Sequence, residues 1–135
     1  MGKDLIRKLY QTWSQDDLTR LDLLIADRYT LFSDPGDAWE GQTLDLDAYR
    51  TRLRKSRRVF PDLEFEIIQS LHEGDRVAVI WKATGTQLGD LDAMPASGRR
   101  LEFSGQTFYL IENGKVAGHW QVIDRLGFIQ QLQAR

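Results

Sequence analysis

Asp124 is the residue of this sequence best placed to carry out chemistry. Val116, Trp120 and Val122 share one face of the predicted strand KVAGHWQVID. Alternation along a strand puts Asp124 on the same face. A carboxyl group among apolar neighbours is disfavoured as an anion and can both give and take protons near neutral pH, which suits enolisation, isomerisation or ring closure beside a carbonyl. In the alternative interpretation, Asp124 only ends the strand, where it caps the segment GFIQQL or pairs with Arg125.

Histidine, cysteine and metal chemistry find less support in the sequence. The chain has two histidines and no cysteine. His72 lies in the predicted turn HEGD, and His119 is five positions before Asp124, so it points away from Asp124 unless a bulge intervenes. We expect no metal site, because the histidines lack ligand spacing and neither HExxH nor a calcium-loop pattern occurs. The absence of cysteine excludes disulfides and thiolate chemistry and is compatible with a cytoplasmic location.

The elements that must position Asp124 follow from the hydrophobic periodicity. Apolar residues recur at helical spacing from Leu5 to Trp13 and again from Leu18 to Ile25, and a third helix is predicted over residues 44–58. Between them, TLFSDPG predicts a brief strand that ends in a turn. From Pro61 onward the period is two, which predicts a meander of long strands. Helices followed by a largely antiparallel sheet indicate an α+β fold, in one domain over residues 1–135.

The Asn113-Gly114 pair predicts a two-residue hairpin turn and fixes which residues share a face. Counted outward from that turn, Tyr109 faces Gly118, and the more apolar face holds Leu101, Phe103, Thr107, Tyr109, Val116, Trp120, Val122 and Asp124. The opposite face bears Phe108, His119, Ile123, Ile80 and Ile68, which is too apolar for full exposure to water. We therefore expect a homodimer through this outer sheet face.

Charge and hydropathy exclude several kinds of partner. The net charge of -2 and the pI near 5.7 give no general attraction to nucleic acid or to an anionic membrane. The run RTRLRKSRR is basic but lacks interleaved aromatics, so a solvated helix face explains it. No long apolar segment indicates a signal peptide or a membrane span. We expect neither nucleic-acid binding nor membrane association.

Three stretches resemble the SnoaL-like polyketide cyclase family: FPDLEFEI, EGDRVAVIWKATGTQLG and SGRRLEFSGQTFYLIENGKVAGHWQVIDRLGFIQQL. This family belongs to the nuclear-transport-factor-like superfamily. The resemblance implies a cone-shaped curved sheet with N-terminal helices that enclose an apolar pocket. It also implies acid–base catalysis of an intramolecular aldol closure or proton transfer on an apolar carbonyl compound, with no metal or organic cofactor.

The resemblance also implies a set of site residues. Asp124 matches the family's catalytic aspartate, and Trp120, Tyr109 and Trp81 match positions that line the pocket. We also assign substrate contacts to Thr107, Phe103, Ser33 and Asp34, and to Met94 in a loop over residues 87–100 that could form a lid.

Three departures from the family pattern keep other functions open. Ser33 stands where many relatives carry a histidine, Gly118 where many carry a glutamate, and Gln121 where an acidic residue is common. Whether the chain is an enzyme therefore stays open. The alternatives are a small-ligand-binding module without catalysis and a dimeric interaction domain of the same fold.

Overall fold

The computed structural model describes residues 2–15 and 17–134. Its helices and strands are α1 (Gly2–Gln15), α2 (Leu21–Leu24), β1 (Ile25–Ser33), β2 (Thr43–Leu44), α3 (Leu46–Val59), β3 (Glu64–Glu73), β4 (Arg76–Thr86), β5 (Arg100–Glu112), β6 (Lys115–Ile123) and α4 (Arg125–Gln133). They form a mixed α+β structure in which one curved, unclosed sheet of six strands is covered by helices, as predicted. None of the described helices has the length and apolarity needed to cross a membrane.

The sheet has the order β2-β1-β6-β5-β4-β3, and every pair is antiparallel except β1 with β6. This parallel pair explains one error in the predicted elements. The second helix was expected to reach Ile25, but it ends at Leu24, and a nine-residue strand replaces the brief one. The helical spacing of the local sequence is outweighed by tertiary contacts. Ile25 pairs with Val116 in the sheet, and Tyr29 and Leu31 are buried.

The third helix and the long hairpins are as predicted. Helix α3 begins after Asp45, whose side chain accepts a hydrogen bond from Ala48 N at 2.8 Å and caps the helix. Asn113 and Gly114 both have positive φ, as a type I′ turn requires, and Glu112 pairs with Lys115.

A β-bulge in β6 shifts the predicted register by one residue. Ile111 pairs with Val116, but Leu110 pairs with Gly118, so Ala117 is an extra residue without a partner. Tyr109 therefore pairs with His119 rather than with Gly118, and the predicted faces of β6 are wrong beyond the bulge. Because side chains alternate with a period of two, one extra residue moves every following side chain to the other face.

The outer face of the sheet is apolar, with a composition different from that predicted. His119 and Ile123 lie on the inner face, and the large exposed apolar residues of the outer face are Phe32, Ile68, Leu71, Ile80, Phe108 and Val122. Trp120 also lies on the outer face, where its ring stacks on Phe32 at 4.4 Å between centroids and the Arg76 guanidinium lies 4.8 Å from its ring. The homodimer through this face stays a prediction.

Candidate functional site

A cavity of about 380 Å³ lies between the inner face of the sheet and helices α1 and α3. This volume is in the range of roughly 300–1,000 Å³ that small-molecule sites occupy. Its apolar walls include Trp13, Phe60, Phe65, Trp81, Phe103 and Ile123. Exposed lining residues, among them Lys55, Asp90, Asp92 and Arg125, mark the mouth. The cavity therefore suits a largely apolar ligand that enters from the side of α4 and the loop over residues 87–99.

A buried aspartate–histidine pair lies at the polar end of this cavity. His119 Nε2 donates a hydrogen bond to Asp34 Oδ2 at 2.8 Å, and the two residues are 2% and 0% exposed. The other ring nitrogen of His119, Nδ1, lies 2.5 Å from the Tyr29 hydroxyl. Since a carboxylate only accepts, Nε2 carries the hydrogen of the neutral ring, and Nδ1 accepts the hydrogen of Tyr29. Tyr29, His119 and Asp34 therefore form a continuous relay, of which Tyr29 and His119 line the cavity.

The turn after β1 brings Asp34 to this position. In the sequence Asp34-Pro35-Gly36-Asp37, Asp37 N donates to Asp34 O at 2.9 Å and Gly36 has a φ of 88°. Proline followed by a residue of positive φ is the signature of a type II turn. Glu40 accepts a hydrogen bond from Asp34 N and holds the start of the turn. The SDPG segment, predicted as a turn whose Ser33 and Asp34 contact the substrate, thus places the Asp34 carboxylate in the interior.

Burial keeps two members of the relay, the Tyr29 phenol and the His119 imidazole, uncharged at neutral pH. Burial lowers the pKa of His119, and the hydrogen bond to Asp34 opposes this effect. Burial also raises the pKa of Tyr29 well above its usual value, and neighbouring tyrosines add to the shift. At neutral pH the resting state is therefore a neutral phenol bonded to a neutral imidazole.

A second hydrogen-bond chain fixes the orientation of Gln121 beside the pair. Trp81 Nε1 can only donate, and it donates to Thr107 Oγ1 at 2.8 Å. Thr107 then donates to Gln121 Oε1 at 2.7 Å, which leaves Gln121 Nε2 to donate to Asp34 Oδ2 at 3.1 Å. Gly105 makes room for this chain, because a Cβ there would lie 2.5 Å from the Trp81 ring. One amide hydrogen of Gln121 goes to Asp34, and the other is available to a ligand oxygen.

Replacing Thr107 with valine is expected to lower the free energy of unfolding by about 2 kcal/mol. Valine has the shape of threonine but would leave Trp81 Nε1 and Gln121 Oε1 buried without partners. Chemical denaturation of Thr107→Val measures the loss. Thr107→Ser is the matched control, because it keeps the hydroxyl and should cost less. Equal losses for valine and serine would show that the hydrogen-bond chain contributes little.

Arg52 on α3 adds a cation near the pair. Its NH2 group lies 2.8 Å from Asp37 Oδ2 and 3.5 Å from Asp34 Oδ2. The positions of Arg52, Lys55, Ser56 and Val59 follow helical spacing, so one face of α3 supplies this part of the cavity wall. The basic run RTRLRKSRR, predicted to form a solvated face, therefore also contributes two basic residues and Ser56 to the cavity.

The position predicted for Asp124 is wrong. Asp124 follows the last residue of β6, is exposed, and accepts a hydrogen bond from Gly127 N at 2.9 Å as the N-cap of α4. Alternation does not bring Asp124 to the inner face, for two reasons. The bulge at Ala117 exchanges the inner and outer residues of β6, and β6 ends at Ile123, one residue before Asp124. The position matches the alternative interpretation, in which Asp124 caps GFIQQL. It does not support the catalytic role predicted for Asp124.

Replacing Asp124 with alanine should destabilise the protein by about 1 kcal/mol, the usual cost of losing an N-cap side chain. Asp124→Asn keeps an oxygen for Gly127 N and should be near wild type. Thermal unfolding of both variants checks this expectation. If asparagine destabilises as much as alanine, the negative charge matters and capping is not the main contribution.

The other predicted site residues divide into three groups. Tyr109, Trp81 and Phe103 lie in the cavity wall, although their contact with a substrate stays a prediction. Thr107 and Asp34 lie behind the wall, where they hold Gln121 and His119. Trp120, Ser33 and Met94 are not part of the lining. Trp120 is on the outer face, Ser33 pairs with it at the end of β1, and Leu91 takes the place expected for Met94.

Alternation from the hairpin turn did not place His119 and Gln121 on the inner face. No motif indicated Tyr29 or Arg52, and Arg125 was predicted only as a possible partner of Asp124. His119 and Gln121 alternate with apolar residues, so either face could have been the inner one. The signal that distinguishes the two registers is Ala117-Gly118, because a glycine inside a strand often marks a bulge or a close backbone approach.

Comparisons with known proteins agree with this fold. A family model for SnoaL-like polyketide cyclases matches residues 3–132. A crystal structure from Acidithiobacillus ferrooxidans, provisionally assigned as a polyketide cyclase, is 37% identical over 97% of this chain and 93% of that chain, with a TM-score of 0.89. TsrD from Streptomyces laurentii is 28% identical over 99% of this chain and 96% of its own, with a TM-score of 0.83. IdmH from Streptomyces antibioticus, also provisionally assigned as a polyketide cyclase, is 26% identical over 98% of both chains, with a TM-score of 0.80.

No curated protein matches the sequence. With the family match over nearly the whole chain, this protein belongs to the SnoaL-like polyketide cyclase family.

Proposed function

We propose that the protein binds an apolar carbonyl compound in the cavity and moves a proton at the carbon beside the carbonyl, in a cyclisation or isomerisation without a cofactor. The observation that carries this proposal is the buried pair of Asp34 and His119 at the polar end of an aromatic cavity. A burial-lowered histidine pKa favours a neutral base, and the carboxylate stabilises the imidazolium that forms when it accepts a proton.

The relay moves the proton in one step that combines two transfers. The C–H bond of the ligand breaks as its proton passes to the Tyr29 oxygen, while the Tyr29 proton passes to His119 Nδ1. As the C–H bond breaks, its electron pair moves into an enolate. The imidazolium that results keeps its Nε2 hydrogen bond to Asp34. Because the pKa of Tyr29 is well above its usual value, a free phenolate does not form and the two transfers are concerted. The free amide hydrogen of Gln121 is placed to bond the enolate oxygen.

The alternative function is binding of a small ligand without catalysis. Gln121 favours it, because its amide, which cannot act as an acid or base near neutral pH, lies on the cavity wall at a position where the resemblance to the family implies an acid. In this case the cavity holds an apolar ligand, and the polar end supplies only hydrogen bonds.

Deuterium uptake by cyclic ketones separates the two functions. Ketones of suitable size, such as 2-tetralone and a set of cyclic β-diketones, are first tested for binding by ligand-observed NMR. The ligands that bind are then incubated with the protein in D₂O, and incorporation of deuterium beside the carbonyl is measured by mass spectrometry. Faster incorporation with the wild-type protein than with buffer supports catalysis. Binding without exchange supports the alternative, and failure of the whole set to bind contradicts the ligand class.

A further inference from the structure

Arg125, the first residue of α4, contacts the turn that carries Asp34. Its Nε donates a hydrogen bond to Pro35 O at 2.9 Å, and its NH2 group lies 3.9 Å from Asp34 Oδ1. Gly36 has no side chain at the point of closest approach, and a Cβ there would overlap the guanidinium. The turn and the arginine therefore fit each other closely at the mouth of the cavity.

Asp34 needs such support because its own bonds hold only one side of the carboxylate. Oδ2 accepts from His119 and Gln121, while Oδ1 is buried and has no hydrogen-bond partner in the described part of the chain. Buried polar atoms without partners are uncommon, and a cation close by reduces the cost of leaving Oδ1 in that state. Arg125 supplies one positive charge from α4, and Arg52 supplies another from α3.

We propose that Arg125 is a positioning residue, which holds the turn over residues 34–37 against the sheet so that Asp34 stays in hydrogen-bond contact with His119. The residue acts through Asp34. The C-terminal helix α4 then contributes to the position of Asp34. Asp124 caps α4 and thereby fixes its first turn, and Arg125 in that turn fixes Asp34. The proposal rests on the proposed function only in so far as the Asp34–His119 contact serves proton transfer.

The other charged and titratable groups around His119 bear on any measurement of its ionisation. Tyr29 on β1, Asp37 in the turn, Arg52 on α3 and Tyr109 on β5 face it in addition to Asp34. A substitution that only removes the positive charge of Arg125 would favour the imidazolium and raise the pKa of His119. A substitution that keeps the charge but releases the turn would weaken the Asp34 contact and lower that pKa.

The test is an NMR titration of the His119 imidazole in three variants of the full chain. Arg125→Lys keeps the charge but cannot bond Pro35 O and face Asp34 at once. Gly36→Ala changes no charge, but it displaces the guanidinium and also strains the turn at its positive φ, so it releases the turn by a second route. In both we expect the pKa of His119 to fall by about one unit. Arg99→Gln is the matched control, because Arg99 NH1 bonds Gln131 O at 2.9 Å and thus holds the other end of α4. This control should leave the pKa unchanged even if the melting temperature falls.

The outcomes separate this inference from the proposed function. An unchanged or raised pKa in Arg125→Lys and Gly36→Ala would overturn the positioning role, whatever the ketones show. A lowered pKa in both, with no ketone exchange by the wild-type protein, would support the positioning role and count against catalysis.

Discussion

Replacing His119 with glutamine should slow ketone deuteration by roughly 10²–10⁴-fold, the usual contribution of a positioned acid or base. Glutamine can still bond Asp34 and Tyr29 but cannot accept a proton at neutral pH. Asp34→Asn should have a comparable effect, since an amide cannot stabilise the imidazolium as a carboxylate does. Initial rates of deuterium incorporation, measured at equal ligand occupancy, check the expectation. Asp124→Asn should keep the wild-type rate because Asp124 lies outside the cavity.

The pH dependence of stability gives His119→Gln a second readout that needs no ligand. The folded-state pKa of His119 lies below the usual 6.5, so the unfolded chain binds the proton more readily. This contribution to stability is full above about pH 6.5 and is lost as the pH falls through 6.5 toward and then through the folded-state value. Denaturation between pH 7.5 and 5.5 should therefore show a decline in the wild type and a smaller decline in His119→Gln. Identical slopes would mean that the pKa of His119 is the same in the folded and the unfolded chain. An unchanged exchange rate would remove His119 from the proposed mechanism.

Replacing Gly118 with alanine should lower the free energy of unfolding by about 3 kcal/mol, near the upper end for overpacking a buried site. A Cβ at Gly118 would lie 2.5 Å from the backbone oxygen of Thr30 and 2.7 Å from the Phe32 ring. The backbone of β1 cannot move away without weakening its parallel pairing with β6, which holds Leu31 opposite His119. The substitution therefore acts on the only parallel pair of the described sheet and on the position of the catalytic candidates together.

Chemical denaturation of Gly118→Ala measures this effect, and Ala117→Gly provides a neighbouring control. Ala117 is buried at the bulge, and loss of its methyl group should cost about 1 kcal/mol. A near-neutral Gly118→Ala would show that β1 can shift at little cost. A glutamate at this position, which the resemblance to the family implies, should be worse tolerated here than alanine.

The sequence was informative wherever local chemistry decides the structure. Asn113-Gly114 specified the hairpin, the helical periodicity over residues 44–58 specified α3, and the period of two specified the inner face of β4, where Val77, Val79 and Trp81 are buried. These features depend on residues close together in the chain. They could be predicted because each has one favoured conformation.

The polar end of the cavity could not be predicted in the same way. The Asp34–His119 contact joins residues 85 positions apart, and it exists only because β1 pairs in parallel with a bulged β6. The resemblance to the family indicated Asp124, which follows the end of β6, whereas His119 and Gln121 lie within that strand and border the cavity. The position assigned to Asp124 depended on an alternation that a single extra residue interrupts.

As a reading frame depends on each nucleotide, the set of β6 side chains that faces the cavity depends on this one extra residue. With Ala117 present, His119 and Gln121 project inward and Trp120 and Val122 outward. Loss of one residue at the bulge would exchange the two sets, and an aromatic and an aliphatic side chain would replace the imidazole and the amide. Deletion of a single codon would thus convert the polar end of the cavity into an apolar one while β6 still pairs with its neighbouring strands. An alignment of relatives that misplaces this one position would assign the chemistry to the wrong side of the sheet.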